Sequence, residues 1–183
     1  MKLVSVAAVI PGVALDIRYA TANNFTGIKL YSEPKCFLQE GTARKLAMVV
    51  RKLRTKLMLG VKIFDGYRPL SVQRALWEMM PDPQYVADPA VGSKHNRGAA
   101  VDLTLVDLVS GQEMEMGTGY DDFTDRAHPD FRNLPETTLC NRAILREMMM
   151  EHSFEPIPTE WWHFDDVDWE KYPLLDIPFS ELK

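Results

Sequence analysis

Over residues 42–59 the apolar positions Leu46, Val49, Val50, Leu53 and Leu57 recur at the three-to-four spacing that lines one face of a helix. Thr42 offers an N-cap oxygen and Gly60 a stop, so the pattern predicts a helix between them. The next run, residues 61–65, reads as a short strand that runs into Gly66-Tyr67-Arg68-Pro69. Pro69 disfavours helical geometry at Arg68 and can open a helix over about residues 70–80, which places Arg68 at a strand-to-helix corner. After an irregular stretch rich in Pro comes Ser93-Lys94-His95-Asn96-Arg97-Gly98, then an apolar strand over residues 99–106. Residues 107–111 suggest a hairpin turn, 112–116 its partner strand and 117–135 a polar loop. A second helix is expected over about 137–152, with Leu139, Ala143, Ile144, Met148 and Met149 inward. Aromatic Glu160-Trp161-Trp162-His163-Phe164 favours a final strand.

No repeat, linker or low-complexity block divides the 183 residues, so one domain over residues 1–183 is expected. The pattern predicts an α+β fold, a small central antiparallel sheet flanked by helices.

Charge narrows the partners. With 21 basic and 26 acidic residues the net charge is −5, which leaves a nucleic-acid binder almost no electrostatic footprint. The nearly uncharged stretch 3–15 is broken by Pro11 and Gly12 and falls short of the roughly 20 residues of a membrane span. No nucleic acid and no membrane are expected as partners. The same stretch has the look of a short leader or of a first buried strand; the second reading is preferred. Cys36 and Cys140 form no CxxC and are expected as buried small hydrophobes in a reducing compartment.

His95, Asp102 at 102 − 95 = 7 positions later, and His163 are residue types that bind zinc. Two imidazoles and a carboxylate leave a fourth position for a water whose pKa falls to about 7 on a catalytic zinc. Glu160, three residues before His163, is a candidate to take that water's proton and pass it to a leaving amine. Positions three apart on a regular strand face opposite sides, so this role requires Glu160 in the turn after Pro158, with the strand starting behind it. Arg68 supplies a permanent cation for the oxyanion of amide hydrolysis. Spacing alone leaves the plainer alternatives open: solvated histidines and a structural arginine. The Asp121-Asp122-Phe123-Thr124-Asp125 run lacks a calcium loop's central Gly, and Gly117-Thr118-Gly119 is no dinucleotide fingerprint.

Ser93-Lys94-His95-Asn96-Arg97-Gly98-Ala99-Ala100-Val101-Asp102 resembles the SxHxxGxAxD signature of zinc D-Ala-D-Ala metallopeptidases, and Glu160-Trp161-Trp162-His163 resembles their ExxH partner. Arg18-Tyr19-Ala20-Thr21, Asn24-Phe25-Thr26-Gly27, Asp65-Gly66-Tyr67-Arg68-Pro69 and Met116-Gly117-Thr118-Gly119-Tyr120-Asp121 are similar to the VanX-type D-alanyl-D-alanine dipeptidases, from about Val13 to Phe179. The resemblance implies one zinc per chain on His95, Asp102 and His163, at the sheet, with Glu160 as general base and acid and Arg68 stabilising the transition state. It also implies that Asp121 receives the free ammonium of D-Ala-D-Ala with Tyr19 nearby, and that Ser93 contacts the dipeptide backbone or its carboxylate. A match beginning so near Met1 favours the cytoplasm over the periplasm. The alternatives are a D,D-carboxypeptidase or endopeptidase on longer peptidoglycan peptides, and a non-catalytic zinc-binding module on the same scaffold. A module that merely holds metal needs neither Glu160 nor Arg68.

Overall fold

A computed structural model describes residues 2–182. The strongest periodicity becomes the longest helix. Strand β1 (Leu3–Ser5) and helix α1 (Val6–Val9) lead to β2 (Ala14–Leu15), β3 (Phe37–Gln39) and then α2 (Glu40–Leu57). The α2 face Leu46, Val49, Val50 and Leu53 is buried, as its spacing predicts. Its ends differ from expectation. Thr42 lies inside the helix and gives its hydroxyl to Asp166 Oδ2 at 2.6 Å, while Lys45 pairs with the other oxygen of the same carboxylate. The stop is Met58, in the left-handed region at φ 55°. Gly60 already belongs to β4 (Leu59–Asp65), where an added Cβ would stand 2.9 Å from the Leu108 side chain.

Helix α3 (Leu70–Met79) follows the Arg68-Pro69 corner as expected. Strand β5 (Ala100–Asp107) comes next, then α4 (Glu136–Glu151), β6 (Phe154–Pro156) and β7 (His163–Asp166). The main sheet has the order β2-β4-β5-β7-β6, and β1 and β3 form a separate antiparallel pair. It is mixed rather than purely antiparallel, because β2 runs parallel to β4, with Ala14 opposite Lys62 and Leu15 opposite Ile63. The 18-residue α2 lies between them in the chain and supplies the return crossover that a parallel pair needs.

Two further expectations shift. Residues 112–116 make only one isolated bridge, Glu113 to Val106, because the carbonyls of Glu115 and Met116 are taken by Asn141 and Arg142 of α4. For the same reason the inward face of α4 is rotated: Thr138, Asn141, Arg142, Leu145 and Met149 are buried, whereas Ala143 is exposed. Loop carbonyls enclosed by the fold must find donors, and a core-facing Arg supplies several at once. Cys36 is buried as expected, but Cys140 is exposed on this helix, and both are free. The segment read as a leader or a first strand is packed from its third residue, with Leu3, Val6 and Ile10 buried; Met1 lies outside the described residues. Among the described residues no helix is long and apolar enough to cross a membrane.

A candidate metal centre and the pocket around it

The central strand β5 is buried at every position from Ala100 to Val106. In the sheet register Asp102 stands opposite Asp65 of β4 on one side and His163 of β7 on the other. A bulge makes this row possible. Ile63 pairs with Leu103 and Asp65 with Asp102, so one extra β4 residue lies between the two pairs. Without it Phe64 would face Asp102, and Asp65 would turn to the opposite side of the sheet.

His95 reaches the row from the turn after residue 92. Ser93 accepts the His95 amide at 3.2 Å and gives its own amide to Asn96 Oδ1 at 2.7 Å, while Asn96 Nδ2 donates to the Arg68 carbonyl at 2.9 Å. The turn closes at Gly98 (φ 67°), where an added Cβ would lie 2.6 Å from the Leu3 side chain, so Gly meets both the backbone and the packing demand.

Three atoms converge: His95 Nε2, Asp102 Oδ1 and His163 Nδ1. Their separations are 3.1 Å between the two nitrogens, 3.4 Å from His95 to Asp102 and 3.0 Å from His163 to Asp102. Tetrahedral ligands about 2.0–2.1 Å from a zinc ion lie about 3.3 Å from one another, which is the spacing found. The far side of each residue is occupied. His95 Nδ1 bonds the Gly66 carbonyl at 2.7 Å, His163 Nε2 bonds Asp165 Oδ1 at 2.9 Å, and Tyr120 donates to Asp102 Oδ2 at 3.1 Å. These bonds turn the remaining nitrogen of each imidazole inward as an acceptor, the arrangement that presents histidine to a metal. Asp102 Oδ1 is buried with no hydrogen-bond partner of its own. The donor set and this orphaned oxygen fit a divalent cation.

The electrostatics point the same way. Burial works against the His163 imidazolium, but the carboxylates of Asp165 and Asp102 outweigh it and raise its pKa. Burial likewise penalises the Asp102 carboxylate, yet the His95 and His163 charges hold its pKa far below the usual range. The cluster draws positive charge to itself.

Glu160 sits in the turn that precedes β7, the position its role requires, and the His163 amide reaches back to the Glu160 carbonyl at 3.4 Å. Its carboxylate lies 3.8 Å from His163 Nδ1, and burial pushes its pKa up to about 8. Residues 160–162 are therefore turn, and only the second half of the predicted aromatic strand is extended.

Arg68 is buried and held from behind. Its Nε and Nη2 both donate to Asp65 Oδ2 at 3.0 and 2.7 Å, and Nη1 donates to Gln73 Oε1 at 3.0 Å. Asp65 is fixed in turn by the Tyr31 hydroxyl at 2.7 Å and the Gly66 amide at 2.9 Å. Three of the five guanidinium N–H groups are thus used, and two remain for the pocket that Arg68 lines. The ring of Tyr19 lies 5.0 Å from the cation.

One cavity of about 220 Å³ collects all eight residues singled out in the sequence: Tyr19, Arg68, Ser93, His95, Asp102, Asp121, Glu160 and His163. Asp121 has a left-handed backbone at φ 60°, accepts the Phe25 amide at 3.3 Å and lies 3.5 Å from the Tyr19 hydroxyl. Burial raises its pKa to about 7, with the Asp102 charge adding to the effect. The two remaining histidines stay outside the cluster, His152 bonded to the Met148 carbonyl at the end of α4.

Asp65, Tyr120 and Asp165 do supporting work that the motif reading did not assign. Asp165 carried a signal: positions i and i+2 of a strand share a face, so His163-Phe164-Asp165 aims the acid at the imidazole. Asp65 is three residues before Arg68, but only the sheet bulge turns it toward the site.

The description D-ala-D-ala dipeptidase of the peptidase M15 family matches residues 1–182. A D-alanyl-D-alanine dipeptidase of Escherichia coli (strain K12) is 38% identical over 98% of this chain and 92% of its own length. One from Enterococcus faecalis (strain ATCC 700802 / V583) is 30% identical over 88% of this chain and 89% of its own. The crystal structure of the vancomycin-resistance D,D-dipeptidase VanXYg in complex with a D-Ala-D-Ala phosphinate analog aligns at TM-score 0.45 and 23% identity, covering 74% of this chain and 53% of that one, too weakly to carry weight.

Proposed function

The chain belongs to the peptidase M15 D-Ala-D-Ala dipeptidase family, and on that premise we propose that it hydrolyses the dipeptide D-Ala-D-Ala to two D-alanines in a zinc-dependent reaction. The observation that carries this reading is the enclosure of a three-ligand cluster, an arginine and a buried acid in a single cavity. His95, Asp102 and His163 would hold one zinc per chain, which supplies a Lewis acid and an acidified water when bound.

The chain's own groups do the rest. Glu160 takes a proton from the attacking water and delivers it to the nitrogen of the leaving D-alanine; a carboxyl with its pKa raised toward neutrality suits both halves of that transfer. Arg68, fixed by Asp65 and Gln73, offers its two unused N–H groups to the oxyanion as it forms, so no reorganisation is needed during the reaction. Asp121 pairs with the substrate ammonium, Tyr19 borders it, and Ser93 lies against the dipeptide backbone or its carboxylate. A half-buried acid left without a countercharge by an N-blocked peptide disfavours longer substrates, which separates this reading from a D,D-carboxypeptidase or an endopeptidase. One domain over the whole chain carries the site. We place the reaction in the cytoplasm rather than the periplasm.

The test is release of free D-alanine by zinc-loaded protein from D-Ala-D-Ala and, in parallel, from N-acetyl-D-Ala-D-Ala. Release from the free dipeptide alone is expected. Release mainly from the blocked peptide points to a carboxypeptidase, and release from neither to a non-catalytic zinc module.

A further inference from the structure

A dipeptide is a zwitterion, and a pocket that encloses it must answer both charges or bear the desolvation of the one it leaves unpaired. The anionic answer, Asp121, adjoins the Asp102 corner of the ligand cluster, because the preceding Tyr120 bonds Asp102. Two basic side chains other than histidine line the cavity, Arg68 and Lys94. Arg68 is committed by Asp65 and Gln73 to one fixed direction. Lys94 adjoins the other corner. Its ammonium lies 3.2 Å from Asp165 Oδ2, whose other oxygen accepts from His163, and 5.4 Å from the centre of the Trp169 ring. Its backbone is fixed next to His95, since the Lys94 carbonyl accepts the amides of Arg97 and Ala99.

We infer that Lys94 is a specificity residue that binds the C-terminal carboxylate of the dipeptide, opposite Asp121. The inference rests on the dipeptidase reading and goes beyond it by assigning the second charge of the substrate. An ammonium has three donors, and Asp165 engages one of them. The side chain is 38% exposed, far more open than Arg68 at 9%, so a small anion can reach it. Lys94 joins the cluster through Asp165 and His163, and Asp121 through Tyr120 and Asp102, so the two charged groups adjoin different ligands of the cluster.

The test compares D-Ala-D-Ala with its C-terminal amide, using zinc-loaded wild type, K94M and K94R. Methionine keeps an unbranched stem against Trp169 and removes the charge. Wild type is expected to prefer the free acid. K94M should raise KM for the free acid about tenfold or more, the worth of one charge-assisted hydrogen bond, with a smaller change in kcat. The preference for acid over amide should collapse in K94M and return in K94R. A K94M variant that keeps the preference while kcat falls equally on both substrates overturns the inference, because Lys94 would then act only through Asp165 on His163. Wild type inert toward both substrates overturns the dipeptidase reading and this assignment with it.

Discussion

The phenol of Tyr120 donates to one oxygen of Asp102 at 3.1 Å, and the other oxygen of that carboxylate is buried with no hydrogen-bond partner. Tyr120 thereby decides which oxygen faces the cluster. It also ties Asp102 of the candidate metal cluster to Asp121, the acid that follows Tyr120 in the chain. Their loop follows residues 112–116, which make only one isolated bridge to β5, so what holds the loop matters as much as what it carries.

Asp121 sets a pH dependence. Burial raises its pKa to about 7, and only the ionised form attracts an ammonium. kcat/KM for D-Ala-D-Ala should rise with pH through about 7, and D121N should flatten that limb while lowering the rate throughout. Stability has the opposite sign. The folded state holds this proton more tightly than the unfolded chain, whose Asp titrates near 4, so stability falls as pH rises from about 4 to about 7. D121N removes that penalty and should melt higher than wild type at pH 8, which calorimetry measures.

Glu160→Gln keeps the size and loses the proton acceptor. The expected loss in kcat is about a hundredfold or more, with bound zinc unchanged by elemental analysis. Near-normal turnover in this variant would remove Glu160 from the proton transfers.

Asp165 orients His163 without touching the triad's centre. Asp165→Ala should weaken zinc binding by about 10- to 100-fold in a competition titration against a chelator, with all three ligands still present.

Arg142 donates from Nε to the Met116 carbonyl, from Nη1 to His128 and from Nη2 to Arg126, at 2.8, 3.0 and 2.8 Å. These bonds bracket the loop that carries Tyr120 and Asp121. Arg142→Ala would leave the Met116 and Arg126 carbonyls without donors, while His128 keeps the Phe131 amide, and about 2 kcal/mol of stability should be lost in urea denaturation. Proteolytic nicking within residues 117–128 should increase along with it.

The sequence carries the chemistry of this protein because chemistry depends on residue type and on short spacings. His95, Asp102, Glu160 and His163 were legible as one candidate set from residue type and motif spacing, and a proline placed after Arg68 sets that cation at a corner. The stripe from Leu46 to Leu53 likewise specifies α2, since a helix is a local object whose period is written in its own residues. What failed depended on distant partners. The end of α2 falls at Met58 rather than Gly60 because Leu59 is needed at once in β4, and Gly60 is needed small beneath Leu108. The face of α4 follows the loop carbonyls that Asn141 and Arg142 must satisfy, which hydrophobic periodicity does not record.

The tertiary structure alone aligned Asp65, Asp102 and His163 in one row. Sheet register is set by pairing between segments far apart in the chain, and the bulge between Ile63 and Asp65 shifts it by the one residue that turns Asp65 toward Arg68. By itself the sequence determined which residue types stand at which spacings. Where each group points was decided by long-range pairing, because a single-residue change in register reverses the face of every side chain beyond it.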